Sequence, residues 1–132
     1  DRAWILPYAQ GRVAGVSQFV EKPPADAVPG LLSRVALINS FVIAGRVQAL
    51  LGMFVRTLPE QTAKFRSHIR PSLGVSGLSL LYEAIPSTDL SRHVLQPLPD
   101  RLAVVRVPPC GWSDLGTPAR LLSYLSQVAV AA

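Results

Sequence analysis

Apolar residues change their spacing several times along this chain, and each change predicts an element. Residues 4–6 (Trp4-Ile5-Leu6) are a short apolar run closed by Pro7, which reads as a strand. Gln10-Gly11 reads as a turn. Residues 12–20 read as a second strand in which Gly15 marks a bulge, and Pro23-Pro24 end it because proline cannot donate to a ladder. Residues 23–30 are a polar, proline-rich loop. Residues 35–44 (VALINSFVIA) are rich in β-branched side chains and predict a buried strand, interrupted in its middle by Asn39 and Ser40. The spacing then becomes helical: Val47, Leu50, Leu51, Phe54 and Leu58 recur at i, i+3, i+4, i+7 and i+11, up to Pro59. A weaker helix is expected over 59–69, a loop over 70–77, and a short helix over 78–85 stopped by Pro86. Ser87-Thr88-Asp89 offers an N-cap and a first-turn acid for a helix through Leu95. Residues 102–107 (LAVVRV) predict a strand. Thr117-Pro118, with Thr as cap and Pro in the first turn, starts a last helix over 118–128. Strands alternating with helices predict an α/β layered fold, with a mixed or largely parallel sheet flanked by helices.

Composition narrows the function classes. The chain has 132 residues, enough for one domain with a single core. With 49% hydrophobic and 16% charged residues, it is not a disordered chain. Mean hydropathy is +0.33, yet no run approaches the roughly 18 apolar residues of a membrane span. Nor does Asp1-Arg2 open a signal peptide, so a cytoplasmic setting without a membrane partner is expected. Cys110 is the single cysteine; it has no partner for a disulfide or a metal site, and it is expected to be a buried, inert thiol. The formal charge is +5, but the eleven Arg and two Lys are dispersed and aromatic residues are few. This pattern argues against a nucleic-acid partner. In a chain that nearly always uses Arg, Lys22 marks a position where a compact ammonium is needed.

Three places carry residues with chemistry. Glu21-Lys22-Pro23 closes a strand with an acid and a base, at the sheet edge where ligands of open α/β sheets bind. A carboxylate there accepts from sugar hydroxyls and an ammonium pairs with a phosphate; the bare tripeptide is also compatible with a solvated strand end. Asn39, an amide inside an apolar run, needs hydrogen-bond partners, from a sugar hydroxyl or from a neighbouring loop. Asp114 stands in a glycine-flanked loop, Gly111-Trp112-Ser113-Asp114-Leu115-Gly116-Thr117-Pro118. It is not required for capping, because Thr117 serves that end. It can hold a hard divalent cation such as Mg²⁺ or make an Asx turn.

The motifs taken in order point further. Phe19-Val20-Glu21-Lys22-Pro23, then Asn39-Ser40-Phe41, then Asp89-Leu90-Ser91, then the Gly-Trp-Ser-Asp-Leu-Gly-Thr-Pro loop resemble the sugar-1-phosphate nucleotidyltransferases, with mannose-1-phosphate guanylyltransferases as the closest branch. The resemblance covers residues 12–121. It implies part of a Rossmann-like nucleotidyltransferase domain. It also implies a reaction in which the sugar-phosphate oxygen attacks the α-phosphorus of a nucleoside triphosphate, GTP favoured, and pyrophosphate leaves. By the same resemblance, Glu21 and Asn39 bind sugar hydroxyls, Lys22 contacts the phosphate of a hexose 1-phosphate such as mannose 1-phosphate, and Asp114 is one of two aspartates on a catalytic Mg²⁺. Asp89 is carried over only as a structural or supporting acid.

The chain departs from that family in one large respect. The family's Gly-rich, Arg-containing loop, the lysine that follows it and the other metal-binding aspartate have no counterpart here. Residues 1–132 are therefore expected to be the C-terminal, sugar-phosphate half of the domain, inactive alone. An open apolar face should then pair with the missing N-terminal half or with a second copy. The competing expectation is a catalytically inactive nucleotidyltransferase-like module with a regulatory or assembly role.

Overall fold

A computed structural model describes residues 2–7, 9, 11–68 and 74–131. In chain order it contains β1 (Ala3–Pro7), β2 (Val13–Glu21), a 3-10 turn (Ala25–Ala27) running into α1 (Val28–Ser33), and β3 (Leu37–Ile38). Three helices follow: α2 (Val47–Thr57), α3 (Pro59–His68) and α4 (Gly74–Glu83). A π turn (Ser91–Leu95), a 3-10 turn (Pro99–Arg101), β4 (Ala103–Val105) and α5 (Pro118–Ala131) complete the chain. The fold is mixed α/β, with one sheet in the order β3-β1-β2-β4.

Every ladder in that sheet is antiparallel, which corrects the expectation of a mixed or largely parallel sheet. Alternation of strands and helices predicts parallel pairing only when each helix carries the chain back to start the next strand in the same direction. Here β1 and β2 form a hairpin. The helical run α2–α4 instead delivers β4 antiparallel to the far side of β2.

The core is organised by the two-residue period of β1. Ala3 packs with Val16, Phe19, Met53, Val94, Leu95 and Leu98 on one face. Trp4 and Leu6 pack with Leu31 on the other. Val16 and Phe19 are three residues apart and would face opposite sides of a regular strand. They share a face because the register slips: Leu6 stands opposite Gln18 but Pro7 stands opposite Val16, leaving Ser17 as an extra residue. The Ser17 hydroxyl donates to the Leu6 carbonyl at 2.8 Å and secures the bulge. The bulge thus lies at Ser17, not at Gly15, which pairs regularly with Ala103.

Other expectations shift with context. Only Leu37–Ile38 of the predicted 35–44 strand pairs, and Val42 is 82% exposed rather than buried. Val35 (φ 57°) and Phe41 (φ 64°) take the left-handed conformation, which interrupts an extended run on both sides of β3. The proline-rich 23–30 segment is more ordered than predicted, because Pro29 sits in the first turn of α1, where a missing N–H costs nothing. Helix α2 spans the predicted residues but packs only part of the predicted stripe on the core. Phe54 and Leu58 are partly buried there beside the buried Met53, whereas Val47 and Leu51 are exposed. The predicted helix over 87–95 contracts to the π turn, in which the Gln96 N–H reaches back to the Ser91 carbonyl at 2.8 Å. Asp89 stands just before it, and its Oδ1 accepts the Arg92 N–H at 2.9 Å. Thr117 Oγ1 accepts from Arg120 N at 3.4 Å, capping α5. Helix α4 begins at Gly74, inside the predicted loop 70–77, whose first residues lie outside those described, as do Gln10 of the predicted turn and Ile69 of the predicted 59–69 helix. Cys110 is exposed, not buried. It follows Pro108-Pro109 in a segment that forms no ladder, so nothing covers its thiol.

Candidate functional site

The ends of three adjacent strands build the floor of a cavity. Glu21 is paired with Ala3 in the β1–β2 ladder. Asn39, one residue beyond β3, donates its N–H to the Ala3 carbonyl at 2.9 Å, continuing the β1–β3 register. Glu21, Ala3 and Asn39 therefore lie side by side across the sheet. Glu21 is two residues past Phe19, so it projects on the core face of β2. That placement explains why its side chain is only 8% exposed although it ends a strand. Ala3, between the two polar residues, also lines the cavity.

The cavity encloses about 360 Å³ and is lined by Arg2, Glu21, Lys22, Asn39, Asp89 and Asp114, together with Ala3, Ser40, Phe41, Ser91 and Trp112. This size suits a small ligand. A second, wider hollow of about 730 Å³ between Arg12, Leu37 and residues 106–109 has an apolar wall and no acid. All four residues singled out in the sequence, Glu21, Lys22, Asn39 and Asp114, line the first cavity.

Lys22 occupies a bend with φ 47°, immediately after the strand ends, and its N–H donates to the Arg2 carbonyl at 3.2 Å. Its side chain is half exposed, and Nζ stands 4.0 Å from Glu21 Oε1. The Glu21 backbone N–H is held by Gln96 Oε1 at 2.9 Å. The buried carboxylate is thus positioned by the sheet and by the segment after the π turn.

Among the described residues, three buried side-chain atoms have no hydrogen-bond partner: Glu21 Oε2, Asn39 Nδ2 and Ser91 Oγ. All three belong to residues lining this cavity. A buried polar group left unpaired costs about 1–3 kcal/mol, so three on one wall mark a surface suited to a hydrogen-bonding ligand. The set comprises an acceptor, a donor and a hydroxyl that does either.

Asp114 is placed by its loop. Gly111 takes φ 73°, and a Cβ on Gly116 would meet Asp114 Oδ1 at 2.9 Å, so a side chain there would displace the carboxylate. Oδ1 accepts the Gly116 N–H, an Asx turn. Oδ2 is paired with the Arg120 guanidinium, and Arg2 Nε stands 3.9 Å away. Two guanidinium groups thus compete for the carboxylate expected to hold Mg²⁺, and both its oxygens are engaged. Among the described residues no group of three or more His, Cys, Asp or Glu side chains is arranged for a metal ion. With both oxygens engaged by protein groups, Asp114 as placed is not free to hold magnesium.

Sequence reading did not single out Arg2, Phe41, Ser91 or Trp112 as contributors. The last three sat inside the quoted motifs without a role, and Arg2 carried no signal because only strand pairing brings it beside Lys22 and Asp114. Among the described residues no helix is long and apolar enough to cross a membrane. Comparison with models of protein families, with curated proteins and with solved structures gives no match in any of the three.

Proposed function

We propose that this chain is the sugar-phosphate-binding half of a sugar-1-phosphate nucleotidyltransferase, closest in its motifs to mannose-1-phosphate guanylyltransferases. The observation that carries the reading is the trio of unpartnered buried polar atoms, Glu21 Oε2, Asn39 Nδ2 and Ser91 Oγ, all on residues that line the same cavity as Lys22 and Arg2. A hexose 1-phosphate supplies what these groups lack. Its hydroxyls donate to the Glu21 carboxylate and accept from the Asn39 amide, and its phosphate is neutralised by the Lys22 ammonium and the Arg2 guanidinium. In such a complex the chain binds and orients the acceptor, so that one phosphate oxygen is presented to the α-phosphorus of a nucleoside triphosphate, GTP favoured. Held in position, that oxygen forms the new P–O bond as the bond to the leaving pyrophosphate breaks. The nucleotide site and the rest of a Rossmann-like sheet would come from an N-terminal portion or a partner chain. So would any donors for the magnesium ion that the family's reaction uses.

The engagement of Asp114 by Arg120 favours a second reading, a module that keeps the sugar-phosphate pocket without catalysis. Titration calorimetry with mannose 1-phosphate and glucose 1-phosphate tests the shared claim: saturable binding by the chain is expected, and no binding of either would overturn both readings. Pyrophosphate release from GTP and mannose 1-phosphate by the full-length gene product separates the two. Release supports the enzyme, and binding without release supports the module.

A further inference from the structure

Phe41 is the least economical residue on the cavity wall. It takes φ 64°, a conformation that bulky side chains rarely adopt and that glycine would adopt freely. Core packing does not hold it there: it is 56% exposed and belongs to neither apolar cluster. Its backbone is held instead by the site, since its N–H donates to Asn39 Oδ1 at 3.0 Å. That bond occupies the amide oxygen and leaves Asn39 Nδ2 as the unpartnered, buried donor. The strained conformation therefore does two things at once. It orients the Asn39 amide, and it keeps an exposed phenyl group among the residues lining the cavity, as Trp112, 46% exposed, also is. Strain persists where the surroundings over-determine it, and such positions cluster at ligand sites.

We propose that Phe41 is a specificity-determining residue whose ring packs on the apolar C–H face of a pyranose, selecting cyclic sugar phosphates over phosphates that lack such a face. This deepens, and rests on, the sugar-phosphate reading of the same cavity. A pyranose has hydroxyls at its edge and C–H groups on its face; the cavity is lined by the polar residues Glu21, Asn39 and Ser91 and by the aromatic residues Phe41 and Trp112. Inorganic phosphate and glycerol 3-phosphate use the cations but present no ring face.

Calorimetry on the wild-type chain and on F41G, F41A and F41Y, with mannose 1-phosphate, glycerol 3-phosphate and inorganic phosphate, tests this. F41G and F41A should weaken mannose 1-phosphate about three- to tenfold, the scale of one aromatic contact, and leave the two acyclic ligands within about twofold. F41Y should restore sugar-phosphate binding. The thermal midpoint of F41G should equal or exceed that of the wild type, because glycine removes the strain. A purely structural role predicts the reverse, a lower midpoint and equal losses for all three ligands. If the wild type binds mannose 1-phosphate and F41G binds it equally well, or loses all ligands in proportion, the Phe41 proposal is wrong and the sugar-phosphate reading survives. If the wild type binds no sugar phosphate, that reading fails and the proposal falls with it.

Discussion

At the scale of single residues, the site is a place where stability is given up. Glu21 carries a carboxylate oxygen with no partner in a side chain only 8% exposed. Replacing it with Gln removes a buried charge while preserving shape, so Glu21→Gln should leave the midpoint of thermal unfolding unchanged or raised. It should also weaken mannose 1-phosphate about tenfold through loss of a charge-assisted bond, measured by differential scanning fluorimetry and calorimetry. Asp114 makes the opposite case, because its charge is already answered by Arg120 and Arg2. Sugar-phosphate affinity of this chain should therefore differ by less than about twofold between buffer with magnesium and buffer with EDTA, given that donors engaged by guanidinium groups are poor metal ligands. A large magnesium dependence would show that Arg120 yields the carboxylate to a cation. Glu21, Lys22, Asn39 and Asp114 stood out in the sequence, but each taken singly was compatible with a structural role, and only the order of the motifs joined them. The Arg2 and Arg120 partners of Asp114 did not stand out, since nothing in an arginine's neighbours in sequence announces an ion pair made through the fold.

At the scale of elements, a single inserted residue sets which side chains reach the core. Ser17 shifts β2 by one position relative to β1, so that Val16 and Phe19 both point into the cluster with Met53 and Val94. Deleting Ser17 would leave Val16 and Phe19 two residues apart, on one face of a regular strand, so their core contacts should survive. The cost should be about 1 kcal/mol, on the scale of the lost Ser17–Leu6 hydrogen bond, read as a small fall in the urea midpoint with the slope preserved. Strand and helix identities followed the apolar period wherever packing agreed with it, as in β1, β2 and α2. They failed where a strand needs a neighbour. Residues 40–44 continue the predicted strand, but among the described residues no ladder receives them, and strand propensity has no effect without a pairing edge.

At the scale of the molecule, two apolar stripes remain uncovered. Val47, Leu51 and Val55 line one side of α2, and Leu121, Leu122 and Leu125 are exposed on α5. Each stripe recurs at helical spacing, so it is a face rather than scattered residues. Sedimentation velocity should show association that grows with concentration, and the double substitution Leu51→Glu with Val55→Glu should reduce it without lowering the thermal midpoint. A wild-type chain that sediments as a monomer at all concentrations would remove the expectation of a covering half or second copy.

What the amino-acid order determined by itself is local: where apolar periods begin and end, where proline and glycine stop them, and which polar residues stand out against them. Those signals depend on neighbours within a few positions. Strand direction, the bulge at Ser17, the row Glu21-Ala3-Asn39 and the arginine pairing of Asp114 were decided only in the folded chain. Except for the Asp114–Arg120 pair, six residues apart, each depends on contacts between separate segments, whose free energies are settled by the whole packing and not by either segment alone.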